Sequence, residues 1–184
     1  MKNRCDIHSD GICIYIETRV GAKLIGKVIM IIFNILGWTL FLTACILIPG
    51  EELGEFIIPL GGWLIILIFV IGRFSAWNFW GKERIRVNTK SISYNRSYGL
   101  IETNVKIIKI SRLGLSYQKV RFLDDAEHGK IVFFNYDENN NPINVFETTI
   151  LMRKEKIDEI FNLINEIFKN EMYEKYNIVP FTEN

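Results

Sequence analysis

The sequence has little cysteine and no excess of charge of either sign, and each feature argues against a class of protein. Its three cysteines, Cys5, Cys13 and Cys45, are an odd number without a CxxC spacing. They argue against a disulfide framework and indicate reduced thiols in a cytosolic setting. The chain carries 22 Lys and Arg against 21 Asp and Glu, so it lacks the basic excess with which proteins hold nucleic acid.

Catalytic and metal-binding motifs are also missing from the sequence. It contains no Gly-rich phosphate loop and no GxSxG, HExxH or Walker-type run. The two histidines, His8 and His128, have no companions at metal-ligand spacing, and the acids around Asp124 lack the spacing of a calcium-binding loop. We therefore expect no enzymatic activity, no metal, no cofactor and no small-molecule substrate.

Two long runs without charge stand out against this balanced composition. Residues 28–48 and 56–72 contain no Asp, Glu, Lys or Arg. At about 1.5 Å per residue, the 21 residues of the first run cover a hydrocarbon core of roughly 30 Å. The second run ends at Arg73, whose long side chain can reach the headgroups. We predict a transmembrane hairpin over residues 22–80, with helices at about 24–48 and 56–79.

The distribution of positive charge predicts the orientation of this hairpin. Residues 1–27 carry five Lys or Arg and residues 73–90 carry five more, whereas the connection 49–55 has three Glu and no base. The positive-inside rule then places both termini in the cytoplasm and the acidic connection outside, and we expect an integral protein of the plasma (inner) membrane. One alternative stays open, because residues 42–45 (LTAC) are similar to a lipoprotein cleavage site, although the apolar run continues past Cys45.

Two sets of side chains in the hairpin are candidates for a functional role. A polar amide and small residues within the spans predict close packing of the two helices. Trp and basic residues at the cytoplasmic boundary either meet lipid headgroups, at about 1 kcal/mol per cation, or only enforce the orientation. The helix-packing candidates are Asn34, Gly37, Ala44, Gly61 and Gly62, and the membrane-interface candidates are Arg73, Trp77, Trp80, Lys82, Arg84 and Arg86.

Short alternating segments separated by turn residues follow the second span. Residues 11–18 also alternate, and since a lone strand needs a sheet, we expect them to pair with the sheet that follows the spans. Apolar residues at steps of three and four predict a helix over 153–169, with 170–184 as a tail. The six strands predicted after the spans are 83–87, 91–96, 105–111, 115–122, 130–136 and 143–149, with a loop at 123–129.

The order of these elements resembles the pleckstrin-homology (PH) fold, a curved antiparallel sheet closed by one C-terminal helix. The N-terminal strand, the two apolar runs, the junction Trp80–Glu83, Gly99 and the segment Gly129–Tyr136 are similar to small bacterial membrane-anchored proteins with a PH-like cytoplasmic domain. The resemblance implies an α+β membrane protein whose residues 81–169 form the PH-like domain. The basic residues of the first hairpin do not follow the pattern by which some PH domains bind inositol phosphates.

These features together predict a membrane-anchored PH-like interaction or scaffold protein on the cytoplasmic face. The alternative is a protective, immunity-like or regulatory subunit that blocks a membrane-acting toxin or defence protein through the helical hairpin. A channel-like homo-oligomer and a lipid sensor also remain open. The expected partners are membrane lipids and either a partner protein or further copies of the chain.

Overall fold

The computed structural model describes residues 4–49, 53–123 and 126–176. It shows an α+β arrangement of two apolar helical rods, antiparallel sheets and a C-terminal helix, which confirms the coarse architecture predicted from the sequence. The helices are α1 (Leu24–Leu47), α2 (Leu53–Ile65), a π-helical segment (Ile66–Gly72), α3 (Arg73–Trp80) and α4 (Lys154–Tyr176). The strands are β1 (Arg4–Ser9), β2 (Ile14–Arg19), β3 (Gly81–Val87), β4 (Ser91–Tyr98), β5 (Lys106–Lys109), β6 (Leu113–Leu123), β7 (Ala126–Tyr136), β8 (Pro142–Glu147) and β9 (Met152–Arg153).

The two apolar rods form where the sequence has its charge-free runs. The first rod is α1, and the second is continuous through α2, the π-helical segment and α3. Both are long and apolar enough to cross a membrane. Their ends lie within three residues of the predicted helix ends, whereas the π-helical segment was not predicted because an apolar run carries no signal for its wider turn. Glu51 and Glu52 of the predicted acidic connection lie outside the described residues.

The first sheet is assembled from both sides of the helical hairpin. Its strand order is β1-β2-β3-β4-β5, with every neighbouring pair antiparallel. β2 precedes the two rods and β3 follows them, and the two strands pair from Ile14↔Val87 to Arg19↔Lys82. The N-terminal segment is therefore part of the same sheet as the strands beyond the rods.

The N-terminal segment contains two strands where the sequence predicted one over 11–18. β2 begins at Ile14, and β1 precedes it as an edge strand. Asp10 makes the turn between them, because its Oδ1 accepts hydrogen bonds from the backbone N–H groups of Ile12 and Cys13 at 2.9 and 2.7 Å. Gly11 adopts φ +86° in this turn, a conformation that favours glycine.

The second sheet and the C-terminal helix complete the core. β7 is its central strand, paired with β6 on one side and with β8 and β9 on the other. α4 buries its apolar face against both sheets, and it continues to Tyr176, seven residues beyond the predicted end. The core side chains with the least exposure are Ile14, Ile16, Ile85, Val87, Ile92, Ile131, Phe133, Met152, Ile157 and Ile160.

The second sheet differs from the prediction around residues 123–129. The sequence placed His128 in a loop there, but β7 already begins at Ala126 and pairs His128 with Arg153 of β9, a short strand that was not predicted. His128 is buried, and its Nδ1 lies 3.0 Å from the Ala126 carbonyl oxygen. Asp124 and Asp125 lie outside the described residues.

Candidate functional site

The rods meet the first sheet at the helix–sheet junction, which we define as Val20, Trp77, Trp80, Gly81 and Tyr98. The first rod is connected to β2 by residues 20–23, and the second rod continues directly into β3. α3 ends at Trp80 and β3 begins at the next residue. A Cβ on Gly81 would overlap the carbonyl oxygen of Trp77, so only glycine fits at this position. Val20 donates its backbone N–H to the Gly81 carbonyl oxygen at 2.9 Å. Both rods are thereby fixed to neighbouring strands of one sheet.

The end of β4 packs along α3. Tyr98 lies against Trp77 with ring centroids 5.1 Å apart. Arg73 donates a hydrogen bond from Nη2 to the Tyr98 hydroxyl at 3.1 Å, and its guanidinium carbon lies 4.9 Å from the centre of the same ring. This contact combines a hydrogen bond with a cation–π interaction. The structure thus places the predicted interface residues Arg73 and Trp77 together with Tyr98, and Trp80 adjoins Gly99.

A second basic residue marks the same level on α1. Lys27 lies in the first turn of α1, with Nζ 5.5 Å from the centre of the Phe79 ring. It is the last charged residue before the apolar run of α1. Basic and aromatic side chains of both rods therefore meet beside the first sheet, in the combination found where membrane helices leave the hydrocarbon.

The other three membrane-interface candidates lie on the outer face of β3. They are Lys82, Arg84 and Arg86. Glu17 of β2 binds two of them, with Arg84 Nε at 3.0 Å and Lys82 Nζ at 3.7 Å. Arg84 also pairs with Glu102 at 2.8 Å. Arg86 stacks over the Tyr15 ring, five residues or about 17 Å along the strand from the junction. The charges of Lys82 and Arg84 are thus matched by carboxylates, which the sequence reading did not foresee.

The ion pairs change the acidity of Glu17. Partial burial is the largest single influence and raises the pKa of this carboxyl. The Arg84 hydrogen bond and the charges of Lys82 and Arg19 together outweigh it, so the pKa of Glu17 lies below its ordinary value. Glu17 therefore stays ionised at neutral pH and holds three cations on the sheet surface.

Glu83 is a buried carboxylate that the sequence reading missed. Its side chain is 0% exposed; Oε1 accepts from Arg96 Nε at 3.2 Å and Oε2 accepts from the Thr149 N–H at 3.0 Å. Arg96 also donates to Thr149 Oγ1 at 2.6 Å. This cluster connects the first sheet to the segment after β8. The alternation Glu83, Ile85, Val87 was the available signal, because it places Glu83 on the inward face.

An open cleft of about 510 Å³ lies beside the junction, between β4 and β8. Tyr94 and Phe146 stack there with ring centroids 4.1 Å apart. The polar lining includes Arg73, Arg96, Thr103, Asn104, Lys106 and Asn144. The lining holds three cations and one carboxylate, Glu147. Two of the cations already have partners within the chain, because Arg96 is paired with Glu83 and Arg73 with Tyr98.

Some of the helix-packing candidates contact the other rod, and others do not. Asn34 donates to Ser75 Oγ at 2.7 Å, and Trp63 donates to the Gly37 carbonyl oxygen at 3.5 Å. A Cβ on Gly37 would lie 2.6 Å from Leu67, so this glycine allows the rods to approach.

Gly61 and Gly62 were expected at the same contact, but the structure does not bring them into it. Nothing lies within 4 Å of where their Cβ atoms would be. Ala44 is half-buried on α1. The close approach is made by Gly37 and Leu67 of the π-helical segment.

Among the residues that the structure describes, no group of three or more His, Cys, Asp or Glu is placed to hold a metal ion. The chain matches no family model, and its sequence matches no curated protein.

Proposed function

We propose that this chain is a membrane-anchored, non-catalytic interaction protein that holds a PH-like β domain against the cytoplasmic face of a membrane. The observation that carries the proposal is the helix–sheet junction, where two exposed apolar rods connect to neighbouring strands of a folded β domain, the first through residues 20–23 and the second directly. Such a junction fixes the height and the orientation of the domain, as recruitment of a partner at a membrane surface requires.

The exposure of the rods supports membrane anchoring. Only 6% of the most apolar window of each rod is buried within the molecule. A core helix of a soluble protein hides its apolar side chains, whereas here Ile32, Phe33 and Phe69 are about 60% exposed. Lipid tails are the environment in which such side chains are stable. The Lys and Arg residues at the sheet end of the rods support the cytoplasmic orientation.

The strand order supports the PH-like assignment. Strands β2 to β5 and β6 to β8 make a set of four and a set of three antiparallel strands, and α4 follows them. This is the composition expected for the PH fold that the sequence resembles. In this interpretation β2 and β3 are the first and second strands of the PH fold, and the helical hairpin is inserted between them. β1 is an added edge strand.

The exposed edge of β5 supports an interaction function. Among the described strands, β5 pairs with β4 alone, so its other edge is open. Ile107 of β5 and Val105 just before it are more than half exposed, while Lys106 and Lys109 keep this edge from aggregating. A partner that adds an extended segment here would gain backbone hydrogen bonds and two apolar contacts.

Site-specific photo-cross-linking of the full chain in cells tests the proposal. A photoreactive amino acid at Ile107 is expected to give one reproducible cross-linked protein, and the same probe at Asn139, in the exposed turn after β7, is the matched control. Equal products from both positions would contradict the proposal. A protein cross-linked from Ile46 on α1, and not from Ile107, would instead support the protective or regulatory subunit that acts through the hairpin.

A further inference from the structure

Exposed aliphatic side chains are concentrated in the loop between β4 and β5, residues 99–105. Leu100 is fully exposed and Ile101 is 72% exposed. Neighbouring Trp80, the last residue of α3, is 62% exposed. Large apolar side chains that are exposed together on a loop tip, beside an aromatic residue, indicate a surface that is covered in the working molecule.

The direction of β4 determines which way this loop points. β3 begins at the junction and runs away from the rods, and β4 runs antiparallel to it, so β4 returns toward the rods. The last pair of the ladder is Gly81↔Tyr98. Residues after Tyr98 therefore project past the start of β3 and alongside α3. Gly99 confirms this placement, since a Cβ there would lie 3.3 Å from Trp80 Cβ.

The contacts of the rods give the depth of the loop tip. Lys27 lies against Phe79, next in sequence to Trp80, and the apolar run of α1 begins immediately after Lys27. The Tyr98 hydroxyl reaches further along α3, to Arg73. The loop consequently lies at the level where charged residues give way to the apolar run.

The loop is held in a defined shape. The Tyr98 N–H donates to the Ile101 carbonyl oxygen at 2.7 Å, and the Thr103 N–H donates to the Arg96 carbonyl oxygen at 2.8 Å. Gly99 adopts φ +90°, which a glycine accommodates. Glu102, the acid beside Ile101, is paired with Arg84. A preorganised loop pays little additional ordering entropy when it binds a surface.

From this geometry we propose that the 99–105 loop inserts Leu100 and Ile101 into the cytoplasmic leaflet beside Trp80, as a third membrane contact of the chain. The inference rests on the proposed function, because it needs the rods to span the bilayer. Lipid is the occupant that the structure favours, since the loop begins at Gly99 against Trp80, and the Phe74 and Trp80 side chains of α3 are themselves about 60% exposed. The β domain is then seated on the membrane at three points and cannot swing away from it.

Lipid quenching of a single fluorophore in the full chain tests this insertion. The variants carry one cysteine, at Leu100→Cys, Asn139→Cys or Ile46→Cys, with Cys5, Cys13 and Cys45 replaced by serine. Each is labelled with an environment-sensitive dye and reconstituted in phosphatidylcholine–phosphatidylglycerol vesicles, with and without a nitroxide on the upper acyl chain. The dye at position 100 is expected to show blue-shifted emission, loss of fluorescence with nitroxide lipid and resistance to aqueous iodide. The dye at 139 should show the opposite behaviour.

The dye at position 46 distinguishes failure of the loop insertion from failure of the membrane anchoring. Lipid quenching at 46 together with iodide quenching at 100 would overturn the loop insertion and leave the anchored domain intact. Absence of lipid quenching at 46 would overturn the proposed membrane anchoring and the insertion with it. Protection at 100 from both quenchers would mean that a second copy of the chain covers the loop, which also overturns the proposal.

Discussion

At the scale of single residues, Glu83 connects the two halves of the β domain. It lies on an inward position of β3 between apolar neighbours, where a carboxylate is tolerated only with full hydrogen bonding. Arg96 and the Thr149 N–H supply those bonds. Since Arg96 is on the next strand and Thr149 is 66 residues further along the chain, this one side chain helps to fix how the sheets meet.

Replacing Glu83 with alanine should lower the free energy of unfolding by about 2 to 3 kcal/mol, because the Thr149 N–H loses its acceptor and Arg96 loses its counter-ion. Chemical denaturation in detergent, followed by circular dichroism, measures this change. Glu102→Ala is the matched control. It removes an exposed partner of Arg84 and should cost about 1 kcal/mol or less. Equal losses from both variants would refute the structural role of Glu83.

The thiol of Cys5 provides a test of packing at the same scale. Burial raises the pKa of Cys5 to about 11, and Sγ lies 3.7 Å from Met152 Sδ. Because the thiolate is the reactive form, about one molecule in a thousand is ready to react at pH 8. In a Cys13→Ser, Cys45→Ser background, the rate of iodoacetamide labelling should rise about tenfold per pH unit up to pH 11. A rate that levels off near pH 8.5, measured by mass spectrometry, would show that Cys5 is exposed.

Residue polarity could be read from the sequence, but the partners of each residue could not. Asn34 was expected to serve helix packing, and its hydrogen bond to Ser75 is of that kind. Gly61 and Gly62 had the same small size as Gly37, yet no atom lies within 4 Å of where their Cβ atoms would be. For Arg84, the acids that bind it lie on β2 and after β4, and only pairing across the sheet brings them close.

At the scale of elements, strong periodic signals were predictive and weak ones were not. The charge-free runs gave both rods within a few residues, and the apolar stripe gave α4. β1 was missed because only Cys5 and Ile7 mark its inward face, a pattern too short to recognise. The start of β7 was missed because Glu127, His128 and Gly129 have the composition of a loop, and burial of His128 arises from pairing with β9.

Alanine substitutions at two glycines, one at the connection of α3 to β3 and one in α1, should have different effects on stability. Gly81→Ala should destabilise the chain by about 1 to 3 kcal/mol, because the added methyl group meets the Trp77 backbone and ring. Gly26→Ala, in α1 where nothing lies within 4 Å, should be neutral or stabilise the helix by up to about 1 kcal/mol. Thermal melting of both variants in the same detergent makes the comparison. Destabilisation by both alike would show that the clash at Gly81 does not decide the outcome.

At the scale of the whole molecule, the rods form an insertion within a β-hairpin. Val20 and Gly81 already share a backbone hydrogen bond where the two strands meet. Replacing residues 21–80 with Asn-Gly, a favoured two-residue hairpin turn, should therefore give a folded β domain that is soluble without detergent. Size-exclusion chromatography and a cooperative unfolding transition test this expectation.

A second shortened chain, in which the register of β3 is shifted, is the control for this experiment. Removing Gly81 as well shifts β3 by one residue and turns Ile85 and Val87 to the outer face, so this version should aggregate. If the first version aggregates as well, the β domain depends on the rods for its folding.

The pairing of β2 with β3 also orders the events of biosynthesis. The ribosome releases β2 first, and its partner emerges only after the 60 residues 21–80, several seconds later at ordinary rates of synthesis. Ile14 and Ile16 must stay unpaired until then. If the rods cross the bilayer as proposed and the second rod failed to return, β3 would lie on the opposite side from β2. In that proposed arrangement, the sheet can close only in chains that have completed both crossings.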